Sequence, residues 1–218
     1  MKMKKTIAVL GLGKYGISLA KSMYEMGADV LVVDNDHNKL KDMEDYCTAA
    51  VCADLTNEDE VAMLGLKNMD IVAVSMAGNL SASIMSVAVA KELNVPLIVA
   101  KSSSDIMTSI LKKIGANKVI VPEEYGGEQS ARILASDTFL DYFKVDENLC
   151  MVEMLPLPKW VGKNMAELNL RKNYKINVIA YMNHETGHWQ ILEPTTALEA
   201  ENELLIVLER DHLNRITK

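Results

Sequence analysis

The run Ile7-Ala8-Val9-Leu10-Gly11-Leu12-Gly13-Lys14-Tyr15-Gly16 reads as a buried strand, a G-x-G-x-x-G turn and the opening of a helix. Gly11 permits the tight turn, Gly13 lets the backbone come close to a diphosphate, and Gly16 lets the helix pack against the strand. Phosphates in such a turn sit against unpaired N–H groups and the positive end of the helix dipole, so Leu12, Lys14 and Tyr15 adjoin them. A lone pattern of this kind is weak, because glycines often serve only turns. Here a second strand follows and ends in an acid, Asp34, 18 residues after Gly16. With Asn35 beside it, Asp34 is placed to accept hydrogen bonds from a ribose 2′- and 3′-hydroxyl, and its charge disfavours a 2′-phosphate and hence NADP.

Outward from that turn, short apolar runs rich in β-branched residues alternate with segments of helical period. Strands are predicted at 6–10, 30–33, 48–52, 71–74, 96–100 and 118–121, and helices near 14–26, 38–45, 57–64, 81–93 and 105–114. Gly27, Gly65 and Gly115 terminate three of the helices. Uniformly apolar strands imply burial on both faces. The class is therefore α/β, with a Rossmann-like, doubly wound parallel sheet over residues 1–122.

The carboxyl edge of that sheet carries further candidates. Asp54, followed by Leu55, is placed to accept a bond from an adenine amino group, or else to cap the next helix, a role Asn57 also suits. Ser75, Met76 and Ala77 end the fourth strand, where small residues make room for a ribose or phosphates or merely form a turn.

After Val121 the pattern changes. Pro122-Glu123-Glu124-Tyr125-Gly126-Gly127 predicts a turn, and Glu128 to Phe143 an amphipathic helix, so that residues 123–143 form a connector or dimer element. From Lys144 the periodicity is strand-like, at 150–155, 176–182, 188–192 and 204–208, with a short helix around 164–168 and a break enclosed by Pro156 and Pro158. Residues 144–218 are thus a small α+β domain.

With 218 residues, 49% of them hydrophobic, the chain can build a real core. A net charge of −7 and a pI near 5.2 argue against nucleic acid as a partner. Ile71 to Ala90 carries no charge, yet Gly78-Asn79-Leu80-Ser81 breaks it and Ser75, Ser83 and Ser86 interrupt its apolar surface. A buried strand followed by a buried helix is expected, with no direct membrane insertion. The first residues, Met1 to Thr6, lead straight into a strand without a signal peptide's apolar region. Cys47, Cys52 and Cys150 are an odd number without metal-site spacing, and a reducing cytoplasm fits both facts.

His184-Glu185-Thr186-Gly187-His188 matches the H-E-x-x-H pattern of zinc peptidases, which needs both histidines on one helical face. The strand-like flanks and the turn residues Asn183 and Gly187 predict a hairpin instead. The 14 methionines are read as core filling. No nucleophile with a nearby His and acid can be assembled, and the roughly 75 residues after the connector are too few for the usual substrate domain of a dehydrogenase. The weight moves from enzyme to sensor, with a small NAD-dependent oxidoreductase or an NADH-responsive redox sensor as alternatives.

The Gly11 turn, Val33-Asp34, Ala53-Asp54, the strand before Lys101, Lys112-Lys113-Ile114-Gly115-Ala116 and Val121-Pro122-Glu123 together resemble the RCK domain, TrkA-N. The segment from Lys144 onward resembles its TrkA-C companion. The resemblance is closest to free-standing regulatory subunits of Ktr/Trk-type potassium uptake systems. It implies a cytoplasmic homo-oligomer, a dimer and then an octameric ring, seated on a separate membrane-embedded potassium-translocating subunit and switched by ATP, ADP or NAD(H). Lys14 stands where relatives often have an arginine on the terminal phosphates, and Lys101 falls among the nucleotide contacts. Glu123 matches an acid that approaches a neighbour's nucleotide, sometimes through a divalent or sodium cation; its other reading is the first turn of a helix. Arg171, Asn177 and Val178 lie where some relatives bind cyclic di-AMP.

Overall fold

The computed structural model describes residues 5–134, 138–183 and 186–216. They divide into two compact units, Met1–Glu123 and Glu124–Lys218.

In the first unit, β1 (Thr6–Leu10), β2 (Asp29–Asp34), β3 (Ala49–Cys52), β4 (Ile71–Val74), β5 (Leu97–Lys101) and β6 (Lys118–Ile120) form one sheet of order β3-β2-β1-β4-β5-β6, parallel throughout. The helices α1 (Lys14–Glu25), α2 (His37–Lys41), α3 (Glu58–Met63), α4 (Leu80–Glu92) and α5 (Asp105–Ile114) connect them. Side chains alternate across a strand, and β1 shows the result. Ile7 and Val9 join a cluster with Ala20, Val30, Val32 and Met43, whereas Ala8 and Leu10 join one with Val33, Val72, Val87 and Leu111. Such a sheet reverses its direction of winding between β1 and β4, and a crevice opens there at the carboxyl ends of the strands.

Local chemistry fixes the helix ends. Asp36, Asn57, Asn79 and Ser104 accept backbone N–H bonds at the starts of α2, α3, α4 and α5. The stretch 71–90 is β4, a loop and α4, and among the described residues no helix is long and apolar enough to cross a membrane. The predicted helix 38–45 is shorter: α2 stops at Lys41 and a separate 3-10 turn spans Glu44–Tyr46. β3 departs from the expectation of strands buried on both faces, because it is an edge strand with all four residues exposed.

The second unit corrects the reading of 123–143 as a connector helix. Pro122-Gly127 is not a turn: Pro122, with its fixed φ, is the first residue of α6 (Pro122–Leu134). The predicted helix does not reach Phe143: α6 is described to Leu134, residues 135–137 lie outside the described residues, and Phe139–Lys144 is a strand, β7. With β8 (Leu149–Met154), β9 (Ile176–Asn183), β10 (His188–Gln190) and β11 (Leu204–Glu209) it makes an antiparallel sheet of order β10-β9-β11-β8-β7. Two short helices, α7 (Met165–Leu168) and α8 (Leu170–Asn173), contribute Leu168 and Leu170 to a core around Trp160, Tyr142 and Val152.

Candidate functional site

At the turn between β1 and α1, Gly11 has φ +94°, a region that disfavours any side chain, and its N–H donates to Val33 O at 2.7 Å. Ser75, buried at the end of β4, donates its hydroxyl to the Gly11 carbonyl and so ties the turn to the neighbouring strand. A Cβ on Gly16 would overlap both the Gly11 carbonyl and the Ser75 hydroxyl. Gly13 differs: φ is −78°, ψ is 179°, and nothing lies within 4 Å of where its Cβ would stand. No side chain caps α1 and no acid occupies its first turn, so its leading N–H groups face the open space above Gly13.

Asp34 ends β2 beside this turn and is 6% exposed. Its Oδ2 accepts the Leu12 N–H at 2.6 Å, its Oδ1 accepts the Asp36 N–H at 3.0 Å, and the Lys39 ammonium stands 3.3 Å from both oxygens. Backbone and side chain together hold the charged carboxylate in place.

A cleft of about 190 Å³ opens from Asp34 between the ends of β2, β3 and β4. Asn35, Lys39, Ala53, Asp54, Leu55 and Thr56 line one side, and Met76, Asn79 and Ala82 the other. Asp54 Oδ1 accepts the Thr56 hydroxyl at 2.7 Å and the Thr56 N–H at 2.9 Å, and these bonds hold its carboxyl below the usual range. Capping of α3 falls to Asn57, so the alternative reading of Asp54 as that cap does not hold.

The model for the TrkA-N domain matches residues 7–122, and that for the TrkA-C domain matches 151–218. The chain belongs to the TrkA-N/TrkA-C family. It is 32% identical over 218 residues to the Ktr system potassium uptake protein C of Bacillus subtilis (strain 168), covering 99% of this chain and 97% of that one. It is 34% identical over 180 residues to the Ktr system potassium uptake protein A of the same organism, covering 83% and 81%. Among solved structures, the GsuK RCK domain superposes with a TM-score of 0.65 at 16% identity, over 99% of this chain and 47% of that chain. The GsuK channel bound to NAD does so with 0.64 at 16% identity, over 97% and 38%. The chain thus spans less than half the length of those structures, and the likeness to them is one of fold.

Within the TrkA-N unit the predicted residues fall into two groups. Asp34, Asn35, Asp54, Leu55 and Met76 line the cleft, and Gly11, Leu12, Gly13, Lys14, Tyr15 and Gly16 form the adjoining turn and helix start. Ser75 serves the turn through Gly11 rather than lining the cleft, and Ala77 follows Met76 in the loop before α4. Burial raises the Tyr15 phenol, while Lys14 is exposed at the first position of α1. Lys39, Thr56, Asn79 and Ala82 are lining residues that sequence reasoning missed. Asn79 had a legible signal, as the cap of α4; Lys39 had none beyond its spacing of five from Asp34.

Lys101 and Glu123 form a separate pair, Nζ to Oε1 2.5 Å, at the ends of β5 and the start of α6. Glu123 is therefore in the first turn of a helix, and its hydrogen bond from Lys101 holds its carboxyl below the ordinary range. A carboxylate so lowered is favoured above the ordinary value, and the pair's contribution is lost as pH falls through the lowered one. An NMR titration of the Glu123 carboxyl should show a midpoint below the ordinary value of about 4.3, and Lys101→Met should raise it toward that value, the bond from the backbone N–H of Glu123 remaining. An unmoved midpoint in that variant would refute the pairing.

In the TrkA-C unit, Arg171 Nε donates to Asn177 Oδ1 at 2.6 Å, while Val178 pairs with Ile206 across β9 and β11. His184 and Glu185 of the H-E-x-x-H run lie outside the described residues. Asn183 and His188 are paired residues of the β9–β10 hairpin, and among the described residues no group of His, Cys, Asp and Glu is arranged to hold a metal.

Proposed function

We propose that this chain is a non-enzymatic, nucleotide-binding regulatory subunit of a Ktr/Trk-type potassium uptake system. It works at the cytoplasmic face of the membrane, as a dimer that builds an octameric ring, on a separate membrane-embedded translocating subunit. The observation that carries the reading is the open space at Gly13. Its backbone angles suit any residue and no neighbour excludes a Cβ, so the fold alone does not call for glycine. A diphosphate lying against the start of α1 does.

With the diphosphate there, the ribose falls at Asp34 and the adenine in the cleft beside Asp54, the arrangement for ATP, ADP or NAD(H). The names of the relatives support the potassium role, and the solved GsuK structures bound to NAD and to ADP support an adenine nucleotide. Gating follows only where a nucleotide binds two shapes of the assembly with different affinity. A divalent or sodium cation between Glu123 and a nucleotide would have to take the carboxylate from Lys101. Cyclic di-AMP at Arg171, Asn177 and Val178 belongs to the same proposal, and its binding is measured alongside.

ATP, ADP or NADH should raise the unfolding temperature of the purified protein. Gly13→Ala should leave the unligated stability within about 0.5 kcal/mol of the parent and weaken nucleotide binding by about 10- to 100-fold. A monomer indifferent to all these nucleotides would sink the function, and a variant binding as tightly as its parent would remove the phosphates from Gly13.

A further inference from the structure

The outer fork of the Asp34 carboxylate, the edge a ribose diol would use, is taken by a lysine. Leu12 N–H and Asp36 N–H occupy one position on each oxygen, and Lys39 Nζ is equidistant from both at 3.3 Å. A carboxylate has about four acceptor positions, so a ribose can join Asp34 by displacing Lys39 from the fork without breaking either backbone bond. The Asp34 side chain is 8% exposed, but that of Lys39 is 42% exposed, so the ammonium can turn to water while the two backbone N–H bonds still hold the carboxylate. The long stem of Lys39 then keeps its ammonium within the cleft that the same residue lines.

Lys39 is the one cation among the described residues lining that cleft, which otherwise presents the acids Asp34 and Asp54. A hydroxyl bound to Asp34 stands about 2.7 Å from the carboxylate, within reach of the displaced ammonium. With a phosphate on the 2′-oxygen only the 3′-hydroxyl remains to donate to Asp34, and the phosphate meets the Lys39 ammonium, the role a nearby arginine has in sites that accept NADP. Asp34 taken alone predicts rejection of a 2′-phosphate; Asp34 with Lys39 in its fork does not.

We propose that Lys39 is a specificity-determining residue that opens this site to nucleotides carrying a 2′-phosphate, so that NADP(H) binds as well as NAD(H). The inference rests on the reading that the ribose of a nucleotide sits at Asp34. Titration calorimetry of the full chain with NAD+ and NADP+ tests it. The parent should bind NADP+ within about tenfold of NAD+. Lys39→Met should lose about tenfold or more for NADP+ while NAD+ binding holds or tightens, and Lys39→Arg should keep both. Binding of NAD+ without NADP+ overturns the inference and leaves the nucleotide reading intact, as does an equal loss of both in Lys39→Met. A parent that binds neither overturns the nucleotide reading and this inference with it.

Discussion

Gly16→Ala is expected to destabilise the first unit by about 2–3 kcal/mol, because the added methyl meets groups that cannot step aside cheaply. One is the Gly11 carbonyl, part of the backbone of the turn, and the other is the Ser75 hydroxyl bonded to that carbonyl. Relief requires α1 to move away from β1 or the Gly11–Ser75 bond to break. Either movement displaces the N–H groups at the start of the helix, so nucleotide affinity should fall by more than about tenfold together with stability. Gly13→Ala makes the contrast, since it touches nothing in the unligated protein. Circular dichroism melts with and without ADP separate the two variants. A Gly16→Ala protein with the parent's melting temperature would show that the close approach of α1 to the turn is not needed.

Trp160→Ala should have the largest effect of any single truncation in the second unit, about 3–5 kcal/mol. The indole is fully buried, sits edge-on to Tyr174 with ring centroids 5.1 Å apart, and lies in one cluster with Leu168, Leu170, Ile176 and Leu198. Domains of this size are stable by only about 5–15 kcal/mol, so the variant should be close to unfolding at room temperature. The chain has two tryptophans, Trp160 and Trp189, both in this unit. Indole fluorescence therefore reports on it alone, and Trp189 remains to report in the variant. The denaturation midpoint seen by Trp189 should drop sharply while nucleotide binding by the first unit persists. An unchanged midpoint would mean that the core closes over the cavity.

The parallel sheet was legible because the first five strands are short apolar runs closed at their end or within two residues by a glycine, a serine or an acid. Asp34 and Asp54 were found that way. The strand at Phe139–Lys144 was not, and its pairing explains why. A register shift between Phe139 and Asp141 turns Phe139 and Tyr142 both inward, three residues apart, which is the spacing of a helix face. Gly126 and Gly127 misled in the opposite direction, being turn residues by propensity and helical in α6. The exposure of β3 was hidden because alanines at an edge read the same as alanines inside. Lys39 was invisible for another reason: a lysine on a short helix reads as a solvated face, and only the folded turn of α2 brings it onto Asp34.

The bare start of α1 has a consequence for folding itself. Four other helices of the first unit supply a side chain of their own for the leading N–H groups, whereas α1 leaves that position to whatever arrives above Gly13. A phosphate seated there, as proposed above, would act as the missing residue of the fold. Nucleotide level and the fraction of intact chain would then be one equilibrium: the unligated protein would be looser and the loaded protein tighter.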